Sequence, residues 1–64
     1  MQIWLKFMIL GVYGSQANFA MKVRAHESKV SQVIHDRRKL TEAEARQWSR
    51  ALRCDPSKFA KITK

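Results

Sequence analysis

The polar side chains of residues 27–35 are the part of this chain whose types and spacing best suit a defined chemistry. Val30, Val33 and Ile34 follow the i, i+3, i+4 spacing of the buried side of a helix. At about 100° per residue, the opposite side carries short polar groups, those of Ser28, Ser31, Gln32 and His35. Short donors and acceptors of this kind can enter a nucleic-acid groove and form hydrogen bonds with base edges.

Three consecutive cations, Arg37, Arg38 and Lys39, follow this helix, where phosphate groups would flank such a groove. The chain has 13 Lys and Arg against 5 Asp and Glu, a formal net charge of +8. So large a cationic excess on 64 residues favours a polyanionic partner, nucleic acid before an anionic membrane. A plainer interpretation of the three consecutive cations is a solvated loop. A plainer interpretation of the net charge is that it only keeps the protein soluble.

The sequence contains few residues that would support a disulfide, a metal site, catalysis or insertion into a membrane. Cys54 is the only cysteine, which excludes an intrachain disulfide and a cysteine-rich zinc module and suits a reducing cytoplasm. His26 and His35 have no carboxylate or thiol placed to complete a metal site, so we expect no metal and no other cofactor. No catalytic residue follows from spacing, and the apolar run 3–13 is too short to span a bilayer and lacks signal-peptide features. We expect neither an enzyme nor a membrane protein, and no small-molecule ligand.

Helical patterns follow one another along nearly the whole chain, without repeats or a linker. They predict one all-α domain over residues 1–64 with four to five helices. Three helices are predicted over residues 4–12, 16–23 and 27–35. A fourth begins after a capping box at Thr41 and Glu44 and ends near Arg53, and Asp55-Pro56 starts one further turn.

Several packing assignments complete the predicted fold. The inward stripe of the first helix is expected to be Leu5, Met8, Ile9 and Val12. Ser15 is expected to cap the second helix, whereas His26 is a poor cap for the third. Phe59 is expected to close the base of the core, and residues 61–64 are expected to fray.

Residues 15–56 contain a further pattern. Ser15-Gln16 opens the second predicted helix, Ala25 is an apolar residue in the turn after it, and the segment 34–39 covers the end of the third predicted helix and the residues that follow. The packing positions around them are Phe19, Ala20, Val23, Val30, Val33, Ala45, Trp48, Ala51, Leu52 and Pro56. This pattern resembles the lambda-repressor-like helix-turn-helix domains, which include Cro-type and xenobiotic-response-element regulators. Their turn usually has glycine where this chain has Arg24, which must adopt a positive φ or change the turn. Asp36 also fills a position that is often glycine.

The resemblance implies a compact lambda-repressor-like domain whose helix-turn-helix motif covers about residues 16–35. In such domains the second motif helix lies in the major groove. The implied base contacts are Glu27, Ser28, Ser31 and Gln32. The implied contacts to the DNA backbone or groove flank are Gln16, Lys29, His35, Arg37, Arg38 and Lys39. Gln32 can pair with adenine, whereas Glu27 can accept from cytosine or simply favour the start of its helix.

Members of this family usually bind as twofold dimers on palindromic half-sites, so a homodimer is expected. Ile3, Phe7 and Leu10 form a second apolar stripe on the first helix and are one candidate interface. The C-terminal turn around Phe59 is a second candidate. Pairing of residues 1–5 as a strand across the dimer axis is a third.

The resemblance implies transcriptional regulation by a small phage- or prophage-type Cro-like repressor that binds an operator in double-stranded DNA. Its location would be the cytoplasm of a bacterial or phage-infected cell, in association with the nucleoid. An antitoxin or anti-CRISPR-associated autoregulator would use the same DNA-binding chemistry with another protein partner. Two alternatives belong to other classes: a protein-interaction module that kept the fold without DNA binding, and a basic amphipathic protein of the membrane surface.

Overall fold

A computed structural model describes residues 1–64. Its first element is an apolar helix, α1 (Ile3–Tyr13). Of the predicted inward stripe, Leu5 and Ile9 are fully buried and Met8 is half-buried. The inward assignment of Val12 is wrong, because its side chain is 54% exposed. The last turn of α1 packs on the core through Tyr13 instead, whose ring centroid lies 5.3 Å from that of a core phenylalanine.

Two short helices, α2 (Gln16–Lys22) and α3 (Glu27–Ile34), follow α1 and pack against it and against each other. The predicted cap of α2 is confirmed, since the Ser15 hydroxyl accepts a hydrogen bond from a backbone N–H three residues later, at 3.1 Å. Both helices end one residue earlier than predicted, because Val23 and His35 are their C-caps.

The turn between α2 and α3 has glycine-like backbone geometry without a glycine. Arg24 adopts a φ of 55°, the first of the two possibilities that the sequence left open. The N–H of Ala25 donates to the carbonyl of Ala20 at 2.8 Å and closes the turn. His26 then enters α3 with an extended backbone and no side-chain cap, as expected of a poor capping residue.

The fourth helix, α4 (Glu42–Leu52), begins at the predicted capping box. The Thr41 hydroxyl accepts from the Glu44 N–H at 3.2 Å, and the Thr41 N–H donates to Glu44 Oε1 at 2.9 Å. α4 ends at Arg53, whose φ of 55° is left-handed. These two caps define where α4 begins and ends. They therefore also set the positions of the α4 side chains that line a surface cleft described below.

The helix predicted to start at Asp55-Pro56 is present, as a 3₁₀ helix, Pro56–Ile62, that is longer than the single turn expected. The expected fraying of residues 61–64 is wrong. Leu40 donates its N–H to the Ile62 carbonyl at 2.7 Å and accepts from the Lys64 N–H at 2.8 Å. Because Ile62 is also buried in the core, the end of the segment is held by both backbone and side-chain contacts.

One hydrophobic core receives side chains from all five helices. Trp48 meets Phe19 edge-on with ring centroids 5.0 Å apart, and Trp4 meets Phe59 in the same way at 5.3 Å. The buried apolar residues are Leu5, Ile9, Phe19, Ala20, Val23, Val30, Val33, Ile34, Leu40, Ala45, Trp48, Leu52, Phe59 and Ile62. The prediction of an all-α domain with four to five helices is confirmed, and no β-strand is present. None of the helices has the length and apolar character that crossing a membrane requires.

Candidate nucleic-acid interface

α3 has one buried side and one exposed polar side. Its buried side chains, Val30, Val33 and Ile34, have no accessible surface. The polar residues on its other side are exposed at Glu27, Ser28, Gln32 and His35 and half-buried at Ser31. The valines therefore hold a row of hydrogen-bonding groups toward solvent, as the helical periodicity predicted.

The C-terminal half of this polar side forms a shallow depression. Ser31, Gln32, His35 and Arg37 line it, and its volume is about 280 Å³. The Gln32 side chain forms no hydrogen bond within the protein, so its amide can donate and accept at once. The structure thus brings together two predicted base contacts and two predicted groove-flanking residues.

The N-terminal half of the polar side is arranged differently. The Ser28 hydroxyl lies 3.2 Å from Nδ1 of His26, so this hydroxyl already has a partner within the protein. Glu27 is exposed in the first turn of α3, where a negative charge suits the helix dipole. Neither Glu27 nor Ser28 borders the depression at the other end of the helix.

The basic loop, residues 36–39, continues directly from α3. Asp36 turns the chain with a φ of 63°, and the Arg37 N–H donates to the Gln32 carbonyl at 2.8 Å. Arg37, Arg38 and Lys39 are all exposed, and none of them forms an ion pair. Their charges are therefore free to meet phosphate groups.

Sequence reasoning missed Lys64 as a member of this charged surface. The backbone pairing with Leu40 brings Lys64 to a second depression of about 470 Å³ beside Arg37, Arg38 and Lys39. The signal was present in the apolar residue at position 62, which indicates an anchored segment rather than a frayed one.

Lys29 does not flank the groove as a free cation, which corrects its predicted role. Its ammonium group pairs with Oε2 of Glu44 on α4. Both side chains are mostly buried, at 21% and 24% exposed. Lys29 therefore ties α3 to α4, and the unpaired cations on this side of the protein are those of the basic loop and Lys64.

The other predicted contact, Gln16, stands apart from both depressions. It is the first residue of α2, its side chain is half-buried, and it forms no side-chain hydrogen bond within the protein. Nothing in the structure pairs it with the polar side of α3. Its assignment as a backbone contact stays a prediction.

Asp36, the one acidic residue in the basic loop, is neutralised locally. The Met1 amine lies 2.7 Å from one carboxylate oxygen, and the Gln2 amide donates to the other. These two hydrogen bonds hold the pKa of Asp36 below its ordinary value. The local charge of the loop is therefore close to that of its three cations alone.

The apolar stripe on α1, defined by Ile3, Phe7 and Leu10, is exposed as predicted, at 53%, 67% and 37%. Phe59, also assigned to a contact surface, has no exposed area because it packs in the core against Trp4. The assignment of Phe59 to a dimer surface is therefore wrong. Pairing of residues 1–5 as a strand is also wrong, since α1 begins at Ile3.

The remaining reactive groups are dispersed. No three of the His, Cys, Asp and Glu side chains lie close enough together to hold a metal ion. Cys54 is half-buried, and burial raises the pKa of its thiol. The thiol is therefore a weaker nucleophile than an exposed one at neutral pH.

Comparison of the chain with protein-family models, with curated proteins and with solved structures found no match. A function for this molecule therefore has to be inferred from its own surface. The features that bear on it are the polar side of α3, the basic loop, the apolar stripe and the net charge.

Proposed function

We propose that the protein binds double-stranded DNA in a sequence-specific manner and regulates transcription, with α3 in the major groove. The observation that carries this proposal is the division of α3 into a buried aliphatic side and an exposed polar side, next to a loop of unpaired cations. In this arrangement α2, the turn and α3 act as a helix-turn-helix unit.

Base contacts come from the polar side of α3. The free amide of Gln32 can donate to N7 and accept from N6 of adenine, a contact that discriminates by about 1–3 kcal/mol. Ser31 lies beside it in the same depression and adds a short donor or acceptor. Ser28 can exchange its contact with His26 for a base, and Glu27 can accept from cytosine N4.

Phosphate contacts come from the cations around the basic loop. Arg37, Arg38, Lys39 and Lys64 border one depression, so they can approach the same stretch of DNA backbone. The two carboxylates of that depression, Asp36 and Glu44, are each paired with a cation. Each phosphate that they neutralise releases counterions, which makes binding weaken steeply with salt. The net charge of +8 supports the same expectation by steering the protein toward a polyanion.

A homodimer is part of the proposal. A single domain of this size offers few base contacts, and two copies on a twofold site double them. The apolar stripe on α1 is the surface that we assign to the dimer, because two of its three side chains are more than half exposed. Twofold pairing would then set the spacing of two copies of α3.

Within this proposal the role is that of a small Cro-like repressor, which blocks a promoter by occupying an operator in the bacterial cytoplasm. An antitoxin or autoregulator of similar plan would use α3 in the same way and differ only in having a further protein partner. These roles share one requirement, which is salt-dependent recognition of a defined duplex sequence.

Selection of bound duplexes from a random library tests the proposal directly. We expect enrichment of a palindromic sequence whose half-sites are about 10–10.5 base pairs apart, or a multiple of that spacing. The selected duplex should bind more weakly as salt rises. A library without any enriched sequence, together with salt-independent or undetectable duplex binding, would refute DNA recognition and favour an interaction module.

A further inference from the structure

A second basic surface lies away from α3 and its loop. It is an open cleft of about 1000 Å³, walled by the C-terminal ends of α1 and α2 on one side and by α4 on the other. We call it the basic cleft and define it by the cations Lys22, Arg46, Arg50 and Arg53 and by the apolar residues Val12 and Ala51. No residue between positions 24 and 42 lines it, so it shares no residue with α3 or with the basic loop.

The cations of the basic cleft are poorly neutralised. Lys22, Arg50 and Arg53 form no ion pair, and Arg46 has only a 3.8 Å contact with Glu42 in which both side chains are largely exposed. No acidic residue lines the cleft. Arg46 and Arg50 are four residues apart on α4, a spacing at which like charges repel. The free protein therefore carries a local repulsion that a bound anion would relieve.

Helix dipoles do not account for the whole cluster. Lys22 and Arg50 lie in the last turns of α2 and α4, where a cation is favoured. Arg46 lies in the middle of α4, where the dipole offers it nothing. Its charge partner is Glu42, at 3.8 Å, and that exposed pair leaves most of the positive charge of Arg46 available to an anion in the cleft.

We call Val12 and Ala51 the apolar floor of the cleft, and hydrogen bonds join the helices that carry them. Val12 is 54% exposed, although it lies on the side of α1 that periodicity assigns to the core. The Tyr13 hydroxyl donates to the Ala51 carbonyl at 2.7 Å, and the Gln47 amide donates to the Val23 carbonyl at 3.1 Å. These two bonds join α4 to the ends of α1 and α2, so the cleft exists before any partner arrives.

We propose that the basic cleft binds an acidic segment of a partner protein. Its carboxylates would pair with the arginines of α4, and an apolar side chain would cover Val12 and Ala51. A DNA backbone would pair with the arginines equally well, but its apolar groups are the C–H groups of the deoxyribose rings, and it has no flexible apolar side chain to cover Val12 and Ala51. The combination of four cations with an apolar floor therefore favours a peptide over a phosphodiester.

Fluorescence anisotropy with two labelled peptides tests this assignment. One peptide consists of Glu and Leu, and the other has Ser in place of every Leu. We expect saturable binding of the Glu/Leu peptide and binding of the Glu/Ser peptide that is at least about tenfold weaker, since one buried Leu suffices for that difference. Equal binding of the two peptides would show attraction by charge alone and would overturn the proposal.

Two double variants with the same change in net charge locate the binding site. Arg46→Glu/Arg50→Glu should weaken the Glu/Leu peptide at least about tenfold and should weaken duplex binding clearly less than a variant of the same charge change in the basic loop does. Arg38→Glu/Lys39→Glu should do the reverse. Equal effects of the two variants on the peptide, or on duplex binding, would overturn the proposal in favour of a general cationic surface or a second DNA contact.

Val12→Ser is a variant that tests the apolar floor without changing the net charge, and it alters a side chain that is exposed. It should weaken the Glu/Leu peptide and leave the Glu/Ser peptide unaffected, and circular dichroism checks that each variant is folded. An unchanged affinity for the Glu/Leu peptide would remove the apolar floor from the proposal. Because peptide and duplex are measured separately, absence of DNA binding would refute the proposed function without affecting this assignment.

Discussion

The ammonium group of Lys29 on α3 pairs with the carboxylate of Glu44 on α4, and the same carboxylate accepts the Thr41 N–H at the start of α4. One side chain therefore caps a helix and fastens it to its neighbour. The position of α3 relative to α4 depends in part on this single carboxylate.

We expect Glu44→Gln to lower the free energy of unfolding by about 1 kcal/mol, because the amide oxygen can still accept from Thr41 while the charge for Lys29 is lost. Lys29→Met should act through the same contact. In urea denaturation, a double-mutant cycle between the two changes should give a coupling energy of at least about 0.5 kcal/mol. Strictly additive effects would mean that the pair contributes nothing to stability.

Gln32 and Arg38 should have different effects on DNA binding. Gln32→Ala should reduce discrimination at one base position of the selected duplex by about 1–3 kcal/mol and leave the salt dependence unchanged. Arg38→Ala should weaken binding to all duplexes alike and lower the salt slope by about 1. Anisotropy titrations on single-base variants of the duplex at several salt concentrations measure both. An unchanged preference at every base in Gln32→Ala would remove Gln32 from the base contacts.

The apolar stripe on α1 predicts the effect of a charge on self-association. Phe7→Glu should convert a dimer to a monomer in sedimentation equilibrium at micromolar concentration, because a carboxylate would be buried between two apolar surfaces. Met21→Glu is the matched control, since Met21 is 77% exposed on α2 and lies outside the stripe. A dimer that persists in Phe7→Glu, or dissociates equally in Met21→Glu, would exclude the stripe as the interface.

Asp55 should make the stability depend on pH in the acid range. The Ser57 N–H donates to its carboxylate at 2.9 Å and holds the pKa of Asp55 below its ordinary value of 3.8. Folding therefore favours the charged form of the Asp55 carboxyl. Its contribution to the free energy of unfolding is fully present above the ordinary pKa and is lost as pH falls through the lower pKa of the folded state. Asp55→Asn keeps an oxygen for the cap and does not titrate.

Urea midpoints from about pH 2 to pH 6 should therefore fall less steeply in Asp55→Asn than in the unchanged protein. Asp36→Asn is a useful comparison, because the Met1 amine and Gln2 lower the pKa of that carboxyl at a separate place. The two effects should add. Identical pH profiles for Asp55→Asn and the unchanged protein would show that the cap does not depend on charge.

Local patterns were sufficient for the elements of this fold. The spacing of Val30, Val33 and Ile34 predicted which side of α3 is buried, since helical periodicity alone determines that side. Thr41 and Glu44 predicted the start of α4, because a capping box is complete within four residues. Arg24 shows the limit of such patterns, because the sequence leaves its φ open. Its positive φ accompanies the hydrogen bond from the Ala25 N–H to the Ala20 carbonyl, which closes the turn.

The errors concern contacts between elements that are distant in sequence. The sequence does not reveal the pairing of Lys29 with Glu44, because Glu44 lies on another helix. It does not reveal that residues 61–64 are anchored, because their backbone partner is Leu40. The spacing of Arg46, Arg50 and Arg53 was visible in the sequence, but only the packing of α1 and α2 beside α4 turns it into a cleft. Periodicity predicts which side of a helix faces the core but not whether a neighbour covers it, so Val12 lies on the core-facing side of α1 and is still 54% exposed.

The two backbone hydrogen bonds of Leu40 have a consequence for the cost of binding a polyanion. The cationic segment before Leu40 emerges from a packed helix at one end and is anchored to the 3₁₀ region at the other. In the proposed complex, little chain entropy would then remain to be lost on contact with phosphates. Loss of that anchor would loosen the guanidinium groups of Arg37 and Arg38 while both remain in the chain, so affinity in the proposed complex would fall although these two charges are kept.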